Sequence, residues 1–224
     1  MTERGRTYVT ASEKSFKFVL SSRNRERALE ALKRIPPLRA RTSEKEPSAA
    51  VLVPLCTVSD EVSLLYTLRS SDLRLHRGEV SFPGGGRDSN DDNLVTTALR
   101  ETEEELGIHQ NKVDVWGMMP SVPTRKQDSS VAPCIGYIGS IDVPSLKLQI
   151  GEVEEAFPVP LWALCEPQNF RYTQYKQAGY SLPVFLGGKH RIWGLTAIIT
   201  YQVLCVLAPQ NFTSRVKFAH RVRI

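Results

Sequence analysis

The most constraining stretch of the 224-residue chain is Arg100–Ile108, which reads Arg-Glu-Thr-Glu-Glu-Glu-Leu-Gly-Ile. On a helix turning about 100° per residue, Glu101, Glu104 and Glu105 share one face. Val95, Leu99, Thr102 and Leu106 form the adjoining stripe, predicted to be buried. Gly107 stands where helices commonly end, so the spacing predicts a helix over about Asn93–Leu106. Carboxylates at i, i+3 and i+4 repel one another and cost helix stability; Arg100, paired with Glu104 at i, i+4, relieves part of this. Alone, such a helix would read as a solvated acidic face. The preceding Phe82-Pro83-Gly84-Gly85-Gly86 changes the reading. Glycines let backbone approach a ligand closely, and free N–H groups near a loop-to-helix junction suit phosphate oxygens. Clustered carboxylates are hard oxygen ligands for Mg²⁺ or Mn²⁺, which bind carboxylates together with phosphates and water.

The remaining pattern predicts an α/β (α+β) protein with a mixed sheet between helices. Ala49–Cys56, Val62–Leu68, Val113–Met119, Val131–Ile138, Phe170–Tyr175, Ser181–Leu186 and His190–Trp193 read as strands. Glu152–Phe157 and Leu161–Leu164 suggest a short helix interrupted by prolines, and a last helix follows Gly194 to about Leu207. Residues 1–20 show no period and read as loose or as part of a removable leader. Ser21 or Ser22 can cap a helix over about Asn24–Arg34, stopped by Pro36 and Pro37. The expected division is a basic extension over residues 1–47, with one helix, and a catalytic domain over 48–224.

Charge supports that division. Of 29 Lys/Arg and 24 Asp/Glu in the chain, residues 1–47 hold 12 and 6, leaving 17 and 18 for the body. A nearly neutral body argues against nucleic-acid binding, which calls for a basic stripe on the folded domain. The basic extension is a candidate targeting segment, although Glu3, Glu13, Glu26 and Glu30 are unusual in a presequence. Cys56, Cys134, Cys165 and Cys205 are widely spaced, which argues against a disulfide framework or a zinc site. The most apolar stretch, Leu195–Pro209, is shorter than the roughly 20 residues that span a bilayer.

Gly86, five residues, Asp92, seven residues and then Arg100-Glu101-Thr102-Glu103-Glu104-Glu105-Leu106-Gly107-Ile108 closely resemble the Nudix box, G-x5-E-x7-R-E-U-x-E-E-x-G-U, with U a bulky apolar residue. Asp92 stands where Glu is usual, and Thr102 where an apolar residue is usual. Leu65-Tyr66-Thr67-Leu68-Arg69-Ser70, Arg74, Gly78 and Phe82-Pro83-Gly84-Gly85 resemble the segment that characterises the coenzyme A diphosphatase branch of Nudix hydrolases, with Tyr66 in place of a Leu. Glu152–Phe157 and Ile192–Ala197 also resemble that branch. The resemblance spans about residues 48–207, and its Pro47–Cys56 and Leu64–Ser71 runs are most like mitochondrial members.

The resemblance implies hydrolysis of the diphosphate bond of coenzyme A and its thioesters, giving 3′,5′-ADP and 4′-phosphopantetheine or its acyl derivative. Glu101, Glu104 and Glu105 would ligate Mg²⁺ or Mn²⁺, neutralising a polyanionic substrate and lowering the pKa of the attacking water. Glu152 is the expected general base, against the alternative that it belongs to the acidic first turn of a short helix. Arg100 is expected to orient Asp92 and Glu104. Arg69 and Arg74, ahead of His76 and Arg77, would bind substrate with Gly84 and Gly85. The tryptophans Trp116, Trp162 and Trp193 read as packing residues. Alternatives are a Nudix hydrolase of ADP-ribose, NADH or capped RNA, and an inactive Nudix-fold binding protein. The intact carboxylates oppose the inactive reading. The expected partner is a small molecule, with no nucleic acid and no membrane; both monomer and homodimer stay open. Mitochondria are the expected compartment, with the cytoplasm as runner-up.

Overall fold

The structure is a computed structural model, and it describes residues 16–36, 47–73, 76–124, 129–175 and 180–216. Its centre is the strand β1 (Ala49–Val58), apolar along nearly its whole length because both faces are covered. Leu52, Cys56 and Ala50 point to one face, and Val53 and Leu55 to the other, as the two-residue strand period requires. Ser59 and Asp60, both at positive φ, turn β1 into the antiparallel β2 (Glu61–Arg69).

The two strands part after only four paired positions, Leu55–Val58 against Leu64–Glu61. Into the opening fits the segment β3 (Val80–Ser81) and β4 (Gly84–Gly86), with β3 pairing β2 at Thr67 and Leu68 and β4 pairing β1 at Ala49–Val51. The Leu52 N–H donates to the Pro83 carbonyl between them. Beyond β1 lie β5 (Asp114–Met118), β6 (Val122–Pro123) and β7 (Ser130–Ser140), and β1 with β7 is a parallel pair. Beyond β2 lies β8 (Val153–Pro160), antiparallel. A separate hairpin joins β9 (Phe170–Tyr175) and β10 (Tyr180–Phe185). The sheet is mixed, as expected from the sequence.

Helices cover both faces. The helix α2 (Leu94–Leu106) packs over Ala50, Leu52, Leu65, Ala132 and Cys134. On the opposite face, α1 (Ser22–Leu32), the short α3 (Leu161–Cys165) and α4 (Gly194–Leu207) close the larger core around Leu55, Leu64, Tyr66 and Ile135. No helix among the described residues is long and apolar enough to cross a membrane.

Two expectations change. The strand expected at His190–Trp193 is only an isolated bridge from Ile192 to Phe185. The segment expected as a helix from Glu152 is instead β8, because pairing with β2 along Ser63–Arg69 satisfies its backbone and buries Val153, Ala156, Phe157 and Val159. The described part of the 1–47 stretch packs against the larger core. Phe16 and Val19, in a 3₁₀ turn at Phe16–Leu20, are buried, and so are Ala28 and Leu32 of α1. Residues 1–15 lie outside the described part.

The junction of α1 with α4 is polar and specific. A helix leaves its last four carbonyls without partners. Here Asn24 Nδ2 donates to the Leu207 carbonyl at 3.2 Å and to Val19 at 3.1 Å, and Arg27 donates to Val206 at 2.7 Å. Arg25 adds a paired contact to Asp114 and lies over the Trp116 ring, 5.3 Å from its centroid. Asn24→Ala removes a donor from the Val19 and Leu207 carbonyls and the side-chain acceptor of Arg27, and is expected to lower the unfolding free energy by about 1–3 kcal/mol. Urea unfolding measures this, with activity per folded molecule unchanged.

Candidate active site

The acidic helix is set by its ends. Asn93, extended, caps it by accepting from the Val95 and Thr96 N–H groups, and Gly107 ends it at φ 68°. Its buried side is rotated from the stripe expected from the sequence. Thr97, Ala98, Thr102, Glu105 and Leu106 are buried, while Val95 and Leu99 are only partly so. The rotation brings Glu105 inward, to 3% exposure. A solvated acidic face is therefore the wrong description of Glu105.

Glu105 meets two groups. The Gly84 N–H donates to its Oε2 at 3.3 Å, and the Arg69 guanidinium stands 3.9 Å from its Oε1. These do not offset the loss of water, and burial pushes its carboxyl up to about 8. Burial also raises Glu101, against the opposing pull of Arg100. Glu101 lies against Gly85 so closely that a Cβ there would fall 2.5 Å from its carboxyl carbon. Gly84 and Gly85, expected to cradle phosphate, here make room for carboxylates. They belong to a paired strand ending eight residues before the helix, so they form no loop-to-helix junction.

Arg100 differs from expectation in its partner. Its Nε and Nη2 donate to the two oxygens of Asp91, each at 3.0 Å, and not to Asp92. It also reaches Glu104 at 3.0 Å and the Gly86 carbonyl at 3.1 Å. Hydrogen bonds from Arg100, then from the Asp88 N–H, hold the Asp91 carboxyl well below the usual range. The loop before α2 is locked to the helix by this fork. Motif spacing points one residue too far, and the only signal for Asp91 was that two aspartates stand side by side. Glu104 stays exposed, tied outward to Arg100.

Glu152 precedes β8, and its charge acts on both Glu101 and Glu105. The fold thus joins Glu101 and Glu105 of α2, Arg69 at the end of β2 and Glu152 before β8, from three different segments. The Arg69 Nε–H is buried without a hydrogen-bond partner. Arg74 and the stretch 125–128 lie outside the described residues. His76 is engaged with Glu79, 2.9 Å away. Trp116 is buried, whereas Trp193 is 39% exposed under Arg191.

Among the described residues no three His, Cys, Asp or Glu side chains form a ready metal cage. The donor chemistry still fits a divalent ion. Mg²⁺ commonly takes one or two protein carboxylates and completes its shell with water and phosphates. Glu101, paired with Arg100 at 3.1 Å, and the buried Glu105 are carboxylates of that kind.

A pH effect follows. With Glu105 raised to about 8, the metal-free folded protein keeps a proton that the unfolded chain loses near its ordinary value of about 4.3. The folded state binds more protons in this window, so this group makes stability fall as pH rises from about 5 to 8. Melting temperatures in chelator should show that decline, and Glu105→Gln should flatten it.

Carboxylates of one helix pressed against a glycine strand, with a guanidinium facing them, are groups suited to a divalent ion and a phosphorylated substrate. The NUDIX domain matches residues 46–176, and the chain belongs to the Nudix family. It is 46% identical to mitochondrial coenzyme A diphosphatase NUDT8 of Mus musculus, over 85% of this chain and 90% of that protein. Identity is 48% with the Homo sapiens protein of the same name, over 79% and 76%. With Nudix hydrolase 3 of Caenorhabditis elegans it is 36%, over 84% and 86%. As a Nudix hydrolase the chain is divalent-metal dependent.

Proposed function

We propose that this Nudix hydrolase cleaves the diphosphate bond of coenzyme A and acyl-coenzyme A in mitochondria, releasing 3′,5′-ADP and 4′-phosphopantetheine or its acyl derivative. The 46–48% identity to two proteins named mitochondrial coenzyme A diphosphatase carries the choice of substrate and compartment. The burial of Glu105 against Gly84 and Arg69 supports the site.

Glu101, Glu104 and Glu105 would hold Mg²⁺ or Mn²⁺. The ion, when bound, neutralises the diphosphate and polarises phosphorus for attack. Arg69, whose side chain is partly exposed beside Glu105, donates to a diphosphate oxygen through its guanidinium. Arg74, on the same motif, is the second cationic group assigned to substrate. Gly84 and Gly85 border the substrate through backbone while spacing the carboxylates. Glu152 takes the proton of the attacking water. The new oxygen–phosphorus bond forms as the bridging one breaks, and the departing phosphate keeps its electron pair. Arg100 holds the helix, Asp91, Glu101 and Glu104 in register.

A panel of coenzyme A, acyl-coenzyme A, NADH, ADP-ribose and capped RNA, with Mg²⁺ and with Mn²⁺, tests this reading. Coenzyme A substrates should give the highest kcat/KM, and chelator should abolish turnover. Restored metal should raise the melting temperature. Preference for another member of the panel, or no hydrolysis at all, would overturn the substrate. Fractionation of cells producing the full chain tests the compartment; signal confined to the cytoplasm would refute mitochondria.

A further inference from the structure

Ile150 is 94% exposed, the most exposed large apolar side chain among the described residues. It sits between Leu148, partly buried against the α2-side core, and Glu152. Alternation along Leu146, Leu148 and Ile150 would turn its side chain inward. A tight turn prevents that. The N–H groups of Glu152 and Val153 both donate to the Gln149 carbonyl, and Gly151 has φ 95°. A β-branched apolar residue at such a tip is unfavourable locally, since turns favour Gly, Pro, Asn, Asp and Ser.

The tip is anchored to the active site on both sides. The Gln149 N–H donates to the Glu105 carbonyl at 2.9 Å, and the Ser70 N–H, next to Arg69, donates to the Glu152 carbonyl at 2.9 Å. One residue, Gly151, separates Ile150 from Glu152, a Cα span of at most about 7 Å. Ile150 therefore stands at the rim of the carboxylate cluster with its side chain free.

Resting on the coenzyme A reading above, we propose that Ile150 packs against the dimethyl-substituted carbon of the pantetheine arm. That carbon lies one methylene from the phosphate ester, within reach of a residue held this close to the carboxylates. Ribosyl diphosphates carry a hydroxylated sugar at the same place, which an isoleucine cannot hydrogen-bond. Ile150 thus favours the pantetheine side of the substrate by burying methyl groups and leaves the 3′,5′-ADP side untouched.

The test uses Ile150→Asn and Ile150→Ala in the full chain with saturating Mg²⁺. The KM for coenzyme A should rise ~10-fold in the Asn variant with kcat nearly kept, the scale of losing a small apolar contact. The inhibition constant of 4′-phosphopantetheine should rise by a similar factor, and that of 3′,5′-ADP should not move. The melting temperature should hold. Equal shifts for both products, or none for either, would overturn the proposal while coenzyme A hydrolysis by the wild type still stands. A change of oligomeric mass with both constants unchanged would also overturn it, assigning Ile150 to a contact between copies. A wild type unable to hydrolyse coenzyme A would remove the substrate reading and this proposal together.

Discussion

Glu105→Gln is expected to fold normally and to lose at least ~100-fold in turnover. The substitution keeps side-chain length and volume, so packing against the α2-side core survives. It removes a carboxylate that burial already makes costly to ionise. Stability at neutral pH should therefore hold or rise in the metal-free protein. Catalysis should move the other way. Losing one contact that stabilises charge in the transition state typically costs about 3 kcal/mol or more, a factor of ~100 or above. Metal-dependent thermal stabilisation should shrink in parallel. Full coenzyme A hydrolysis by a folded Glu105→Gln protein would remove this residue from the essential ligands.

Gly84→Ala and Gly85→Ala, one residue apart, should fail in opposite ways. At Gly84, φ is 150° and an added Cβ would meet the Ala50 carbonyl oxygen at 2.3 Å and the Val51 Cα at 2.5 Å. Both are backbone atoms of the central strand, so the clash must separate β4 from β1. Several kcal/mol of stability should be lost, in the range of other severe overpacking and backbone-strain changes. At Gly85 the three atoms nearest the added Cβ all belong to the carboxylate of Glu101, at 2.5–2.6 Å. That is the far end of a flexible side chain, and it can swing away. The Gly85→Ala protein should melt near the wild-type temperature, yet lose about as much turnover as Glu105→Gln because a ligand has been displaced. Measuring melting temperature and kcat for both variants separates the two cases. A Gly85→Ala enzyme with wild-type kcat would show that Glu101 tolerates displacement.

The helix ends at Asn93 and Gly107 were readable because capping depends on local hydrogen bonds. Most strands were readable from apolar runs alone, since burial on both faces leaves a continuous signal in the sequence. The Glu101, Glu104 and Glu105 cluster was readable because it lies within five residues of one helix. Long-range pairing decided the rest. The acidic Glu152–Phe157 stretch looks helical by itself, and becomes a strand only because β2 offers an open edge. Which carboxylate is buried depends on how α2 rotates against the sheet, a packing outcome that moved the inward face towards Glu105. Arg100 chose Asp91 over Asp92 by the path of the loop, where neighbouring residues point in different directions. The glycines were legible as positions where backbone comes close to something. That they make room for the protein's own Glu101 and Glu105 depended on the parting of β1 and β2, which no local pattern records. The sequence alone determined the chemical groups, their helix and the family. Tertiary structure decided which of those groups lose water and meet, because burial and charge pairing arise from contacts between distant segments.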